Sequence, residues 1–497
     1  MPSPKTFYIT TAIDYPSGKP HLGHAYEKVT ADCIARWHRL LGEEVFFLTG
    51  TDEHGSKIAK KAKEAGKEPQ KYVDEMVIFF KELCEKLNIS NARFIRTTDQ
   101  DHVKISQGIF KKIHDKGEIY LGEYSGWYCS DCETFYTEKG LQDGNCPTHE
   151  KKAEWISEES YFFKMSAYTK KVLDYLEKNA ESVLPSGKRK EIINRVKEGM
   201  NDLSVSRVNV PWGIQVPVNK KHTQYVWMDA LINYVSGVGA FPTDSKDKLN
   251  KFWPADVHLI GKDILWHHTA IWFSILMAAE IKLPKTVFSH GFINTASGDK
   301  MSKSKGTVID PGQLVDKYGS DILRYFLLRE IPFGQDGNFS EEALKERLNN
   351  ELANELGNLV NRSIVMIEKI GGKVPAAKTD PDLQKKLNLK KIKELMEKFE
   401  LHHAIAEIFS FAGACNQFIN EKEPWKLDSK KKEAVLYSLA DSLRIIAILI
   451  QPFIPQTAEK INQQLGVKPG LLADCKFNKL KAGTKVKKGE ILFKKIE

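Results

Sequence analysis

Two histidines three residues apart, His21 and His24, flank Leu22-Gly23 just after Tyr15-Pro16-Ser17-Gly18-Lys19-Pro20. At the start of a helix such a pair projects from one face, beside backbone N–H groups that lack intrahelical partners. That arrangement suits a phosphate: the helix end attracts anions, and imidazole N–H groups donate to phosphoryl oxygens. Alone, a His-x-Gly-His is more often a pair of surface histidines. Far along the chain, Gly298-Asp299-Lys300-Met301-Ser302-Lys303-Ser304-Lys305-Gly306 is a glycine-bounded loop with three lysines. Lysine is a flexible point charge, so this loop can fold over a triphosphate and neutralise a departing pyrophosphate. A third cluster is Cys129-Ser130-Asp131-Cys132, then thirteen residues, then Cys146-Pro147-Thr148-His149. Its spacing is that of a tetrahedral Cys3His zinc site. Four protein ligands leave no position for water, so one such metal would staple a small core.

These groups need elements to position them. Phe7-Tyr8-Ile9-Thr10-Thr11 favours a strand, which Pro16, Gly18 and Pro20 end. From Ala25 the residues Val29, Cys33, Ile34, Trp37, Leu40 and Leu41 recur at helical spacing until Gly42. Val45-Phe46-Phe47-Leu48 gives a second strand, ending in Gly50-Thr51-Asp52-Glu53-His54-Gly55. Strand, helix and strand make a parallel unit whose ligands sit at the carboxyl ends. Asp52 is therefore placed to meet a substrate ammonium, with helix capping as the ordinary alternative.

Residues 1–116 read as the first half of a doubly wound, Rossmann-type parallel α/β sheet, and 221–295 as its second half. Between them, 117–220 is a connective insertion holding the zinc knuckles. The lysine loop lies in 296–340, where one helix is predicted over 314–328. Residues 341–475 read as an all-α helix bundle and 476–497 as a lysine-rich tail, in which 486–492 has a hairpin-like pattern. Tyr225-Val226-Trp227-Met228-Asp229-Ala230-Leu231-Ile232-Asn233-Tyr234 and the stretch 264–277 carry aromatic residues. These suit either a core or a pocket for a polarizable side chain.

Composition sets the bounds. The 497 residues suggest about three domains. The hydrophobic fraction of 41% and charged fraction of 28% are those of a soluble globular protein. The N-terminus leads straight into a strand, unlike a signal peptide, and the apolar stretch 264–277 contains two histidines and is short of a membrane span. A cytoplasmic protein with no membrane partner is expected. Net charge is +9, from 74 basic and 65 acidic residues, a mild excess compatible with a polyanion. Of seven cysteines, Cys33, Cys84, Cys415 and Cys475 are scattered, which argues against a secreted disulfide framework.

The histidine pair and the Lys-Met-Ser-Lys-Ser loop, in that order and each beside a strand, resemble the two signature motifs of class I aminoacyl-tRNA synthetases. Ala12-Ile13-Asp14-Tyr15, the Asp52 loop, the zinc knuckles and Gly261-Lys262-Asp263-Ile264 resemble more narrowly the methionyl family of bacterial or organellar type. The short insertion agrees, having no room for the editing domain of the leucine, isoleucine and valine enzymes. The resemblance implies methionine activation by ATP, with Mg2+, to methionyl-adenylate, and transfer to tRNA(Met), initiator tRNA included.

It further implies a methionine pocket of Ala12, Ile13, Tyr15, Asp52, Trp227, Ala230, Leu231, Tyr234, Ile264 and His268. Leu231 stands where some members have proline. ATP would be held by His21, Gly23, His24, Glu27, Lys300 and Lys303, with His21, His24, Lys300 and Lys303 catalytic. Zn2+ would sit on Cys129, Cys132, Cys146 and His149. The bundle would read the anticodon through Asn358 and Arg362, on one helical face, and through Trp425 stacked on an unpaired base. A monomer is expected, because the chain stops short of the further C-terminal domain of many relatives. Two other readings are a small-molecule nucleotidylyltransferase, which leaves the bundle unexplained, and a non-catalytic zinc-bearing RNA-binding protein, which has no need of both phosphate motifs.

Overall fold

The structure, a computed structural model, describes residues 5–129, 134–136, 138–148, 150–241, 248–301 and 307–496. Strand β1 (Thr6–Thr11) lies at the centre, helix α1 (Leu22–Leu40) packs across it, and β2 (Glu44–Thr51) returns beside it in parallel, with Tyr8 opposite Phe46. Helices α2 (Ser56–Glu64) and α3 (Pro69–Lys86) then lead to β3 (Arg93–Arg96), and α4 (Gln100–Asp115) follows. The sheet runs β3, β2, β1, Val257–Gly261, Thr286–His290, Val183–Leu184, with every pairing parallel. The chain thus builds outward from β1 on one side and later returns on the other. The crevice between the carboxyl ends of β1 and Val257–Gly261 is the switch point where such sheets bind ligands.

The last strand of that sheet comes from an unexpected place. Val183–Leu184 belongs to the insertion, which hands a short edge strand back to the main sheet. The rest of the insertion is antiparallel: β4 (Ile119–Cys129) pairs with β5 (Thr134–Tyr136) and, along ten residues, with β6 (Glu154–Phe163).

Beyond the lysine loop the expected helix over 314–328 is two, Pro311–Tyr318 and Ser320–Glu330. Gly319, at φ +96°, turns the chain between them, a conformation glycine adopts without steric cost. A long helical run follows as Glu341–Arg347, a π-helical segment Leu348–Gly357, and Asn358–Glu368. Helices Leu401–Lys422, Ser429–Ile450 and Pro455–Leu465 complete the bundle. From Val435 onward every residue of Ser429–Ile450 is buried, so this helix forms the bundle's axis.

One apolar core joins the back of α1 to the bundle. A fully buried ion pair crosses it, Arg324 Nη1 to Asp32 Oδ2 at 2.8 Å. Arg324 also donates from Nε to the Phe453 carbonyl (2.9 Å) and from Nη2 to that of Pro452 (3.0 Å). The hairpin-like pattern in the tail does not become a hairpin among the described residues. Instead 476–496 is an irregular strap, fastened by Val486 N–H to the Gly372 carbonyl and by Ile496 N–H to the Asn349 side chain.

Candidate active site

His21 is the N-cap of α1, with extended backbone (φ −127°, ψ 175°). Its Nδ1 accepts from the Gly23 N–H at 3.2 Å, while His24 Nδ1 accepts from the His21 N–H at 3.0 Å. The two rings stack at 3.7 Å and 21°. In each ring Nδ1 is occupied as an acceptor, so the proton resides on Nε2, and both histidines present an Nε2–H donor. A Cβ on Gly23 would lie 3.0 Å from His21 Cε1, so glycine gives the ring room to fold back onto the helix start.

Behind these rings lies a polar layer. Lys28, one turn on from His24 and fully buried, pairs with the Asp14 carboxylate, whose Oδ1 lies 3.9 Å from His24 Nε2. Burial lifts the Asp14 carboxyl above its ordinary range against the pull of Lys28. Burial also works against the Lys28 charge, but Asp14, Cys84 and Glu27 together hold that amine above its usual value. Glu27 faces inward: its Oε1 accepts from the Ala12 N–H at 2.7 Å and its Oε2 is 3.6 Å from His290 Nε2. Burial would lower the His290 ring, and Glu27 outweighs it and raises it. Backbone bonds from Asp14 N–H to Gly50 O (2.9 Å) and from Asp52 N–H to Asp14 O (2.8 Å) bring Asp52 alongside. Gly50 is forced there, since a Cβ would lie 1.9 Å from the Ile95 carbonyl oxygen.

The apolar candidates converge on one cluster. Leu231 and Tyr234 are buried in it, and Ala12, Ile13, Tyr15, Trp227 and Ile264 pack against it half-buried. His268, on the π-helical turn His267–Ile271, donates Nδ1–H to Ile264 O (2.9 Å) and accepts the Tyr234 hydroxyl at Nε2 (2.7 Å). Burial lowers His268 to about 4 and His267 to about 3, so both rings are neutral near pH 7. Trp227 stacks on His267 at 3.9 Å and stands edge-on to His268. The wall is thus aromatic and uncharged, with the Tyr234 oxygen its polar point. Ala230 is buried on the short helix Val226–Ala230. Trp272 is core, fully buried with Nε1–H directed to His258 Nε2 at 3.3 Å.

A buried network escaped the sequence reading. Asp229, 1% exposed, accepts from His54 Nδ1 (2.6 Å) and from His102 Nε2 (2.7 Å), and His102 Nδ1 bonds the Ser236 hydroxyl (2.7 Å). Burial would raise the Asp229 carboxyl, yet His54 and His102 hold it below its ordinary value. Glu53, fully buried, takes Arg96 Nε at 2.8 Å and the hydroxyls of Thr51 and Thr98. One acid within an apolar run was the signal for Asp229, but its partners lie 175 and 127 residues away.

The lysine loop is met at its edges. Lys300 is exposed, its Nζ 5.0 Å from the Phe292 ring centre, and Lys303 lies outside the described residues. On the far side the Ile309 carbonyl accepts the Leu22 N–H at 3.2 Å, tying the loop's exit to the first residue of α1. In the insertion, Cys129 and Cys146 are buried, and Cys146 Sγ lies 3.4 Å from the Tyr136 hydroxyl on the strand paired with Cys129's own. Cys132 and His149 lie outside the described residues, among which no group of three metal-ligating side chains occurs. In the bundle, Asn358 is exposed, Arg362 Nη2 donates to Asn420 Oδ1 at 2.9 Å, and Trp425, 55% exposed, follows the helix that carries Asn420.

The family model described as tRNA synthetases class I (M) matches residues 7–155 and 141–364, and that of the anticodon binding domain of methionyl tRNA ligase matches 371–497. The methionine–tRNA ligase of Caldanaerobacter subterraneus subsp. tengcongensis is 50% identical, over 99% of this chain and 79% of its own length; that of Clostridium tetani is 48% identical over the same shares. Mycobacterium tuberculosis methionyl-tRNA synthetase in complex with methionyl-adenylate is similar at TM-score 0.95 and 41% identity, covering 98% of this chain and 99% of that one. Its apo form gives 0.88 at 38% identity, over 99% of each chain.

Proposed function

The chain belongs to the methionyl family of class I tRNA synthetases, and we propose that it charges tRNA(Met), initiator tRNA included, with L-methionine. What supports this reading is two Nε2–H donors on a helix start beside β1 together with a neutral aromatic cluster packed at the same sheet. The ammonium of methionine lies at Asp52 and its thioether against Tyr234, Trp227, Ile13 and Leu231, with Ala12, Tyr15, Ala230, Ile264 and His268 completing the wall. A charged ring beside the sulfur would cost desolvation, and burial of His268 removes that cost.

ATP lies over Gly23, with His21 and His24 donating to its phosphoryl oxygens. A methionine carboxylate oxygen attacks the α-phosphorus in line, and the bond to pyrophosphate breaks with its electron pair leaving on oxygen. Lys300 and Lys303 neutralise that leaving charge, and Mg2+ bound with ATP supplies further phosphate neutralisation. Glu27 acts by positioning, since it holds the Ala12 backbone rather than a nucleotide. A terminal ribose hydroxyl of tRNA then attacks the methionyl carbonyl and AMP departs. Positioning and electrostatics supply the catalysis.

In the same reading Cys129, Cys132, Cys146 and His149 hold one structural Zn2+: the two described sulfurs are buried at one hairpin end, and thiolate with imidazole is a zinc donor set. Asn358, Arg362 and Trp425 take the anticodon. The units are 1–116 and 221–295 for catalysis, 117–220 as the insertion, 296–340 for the lysine loop, 341–475 for the anticodon and 476–497 as a tail. The enzyme works as a cytoplasmic monomer; no helix among the described residues is long and apolar enough to cross a membrane.

The test is exchange of labelled pyrophosphate into ATP with each of the twenty amino acids, and Lys303→Ala as control. Methionine alone should support exchange, which the variant should lose. Exchange with a different amino acid would overturn the pocket assignment, and none from folded, zinc-loaded protein would overturn the adenylation chemistry.

A further inference from the structure

Residues 476–496 hold eight lysines and a single acidic residue, Glu490. All eight lysines are exposed, and among the described residues none makes an ion pair, unlike Lys262, Lys317 or Lys391 elsewhere. A solvated tail needs no fixed path, yet this one is fastened along its length. Lys487 N–H donates to Gln464 O (2.9 Å), Lys488 N–H to Glu368 Oε1 (2.8 Å), and Ile496 both donates to and accepts from the Asn349 side chain. Gly489 sits so close to the bundle that a Cβ there would lie 3.0 Å from Gln464 Cγ. The strap therefore presents a fixed row of positive charge.

Its course fits a polyanion. The strap runs antiparallel to residues 349–372, and Phe493 meets the helix at Gly357, next to Asn358. It thus borders the helix Asn358–Glu368, which carries Asn358 and Arg362. Between the strap and helix Pro455–Leu465 lies an open groove of about 360 Å³, lined by Lys460, Lys487 and Lys488, the amides of Gln463 and Gln464, Gly489, and one carboxylate, Glu490. Three cations against the one carboxylate of Glu490 leave the groove positive, and with two amides they match phosphodiester oxygens, while lysines carry no base-edge specificity.

We propose that the strap and helix Pro455–Leu465 form a track for the tRNA sugar-phosphate backbone, with Lys460, Lys487 and Lys488 seating phosphates beside the anticodon face. This rests on the tRNA-charging reading and gives the tail its role: binding energy without sequence choice, while Asn358, Arg362 and Trp425 choose the bases.

The experiment measures tRNA(Met) binding to the full chain across salt concentrations. Each phosphate contact contributes roughly 0.7–0.9 to the slope of log affinity against log salt. The triple variant Lys460→Glu, Lys487→Glu, Lys488→Glu should lower the slope by roughly 2 to 3 and weaken binding at low salt at least tenfold. Methionine-dependent pyrophosphate exchange should be unchanged, which also reports folding. The triple Lys→Arg variant should keep the slope. An unchanged slope in the Glu variant, or an equal fall when Lys170, Lys171 and Lys178 on the insertion's helix Thr169–Lys178 are made Glu, would overturn the track. Arg362→Ala with Trp425→Ala, tested on tRNA with an altered anticodon, separates the two assignments. If discrimination survives there while the strap variant still loses slope, the track stands and only the anticodon residues fall.

Discussion

Asp229→Asn is the most informative single change in the pocket's support. The carboxylate takes two short hydrogen bonds, 2.6 Å from His54 and 2.7 Å from His102, with 1% exposure. Bonds to a charged group contribute about 1.5–3 kcal/mol each. Asn keeps one acceptor and turns a donor toward the second ring, so one bond survives in weakened form and about 2–3 kcal/mol of stability is lost. The functional effect follows from connectivity. His54 is two residues from Asp52, and Asp229 is two residues from Trp227, so the network fixes the ammonium site against the aromatic wall. The methionine KM in pyrophosphate exchange should rise about tenfold, equivalent to about 1.4 kcal/mol, with kcat little changed. Urea denaturation gives the first quantity and the exchange assay the second. A double cycle with His102→Gln should return a coupling of about 1 kcal/mol or more. If Asp229→Asn loses less than about 0.5 kcal/mol and keeps its methionine KM, the network does not hold the pocket and the reasoning fails.

Lys28→Met strips the buried Asp14 carboxylate of its counter-charge and should cost about 3–5 kcal/mol in denaturant unfolding, most of it regained in Asp14→Ala/Lys28→Met, because a buried charge without its partner is what costs. His268, at about 4 when folded, lies below the ordinary histidine value. As pH falls the unfolded chain takes up this proton first. Its contribution is therefore complete above about 6.5 and lost toward about 4, about 3 kcal/mol in all, and His268→Gln should remove one proton's share of the slope across that window while the share of His267 remains. Metal analysis should find one zinc per chain, and chelation should raise hydrogen exchange over 119–163 while leaving methionine-dependent exchange measurable; fresh protein without zinc would refute the Cys3His site.

The sequence by itself determined the β1–α1–β2 unit, because β-branched and aromatic runs, Pro16, Gly18 and the helical period after Ala25 are local signals that agree. The family of the catalytic motifs was equally legible: His21, His24 and the lysine loop are short, ordered strings. Tertiary structure alone decided what those strings face. The proton position on both histidines follows from backbone N–H groups at the α1 start, and Lys28, a polar residue amid a helix, shows its purpose only when Asp14 is brought to it. Val183–Leu184 joining the main sheet and a hairpin-like tail laid down as a strap depend on partners far along the chain, whereas Gly319 dividing a helix rests on a local signal, a glycine at positive φ. The same holds for His54, Asp229 and His102, which no periodicity links. Local sequence sets backbone preference within a few residues, whereas a buried polar group is placed by the distant atoms that satisfy it.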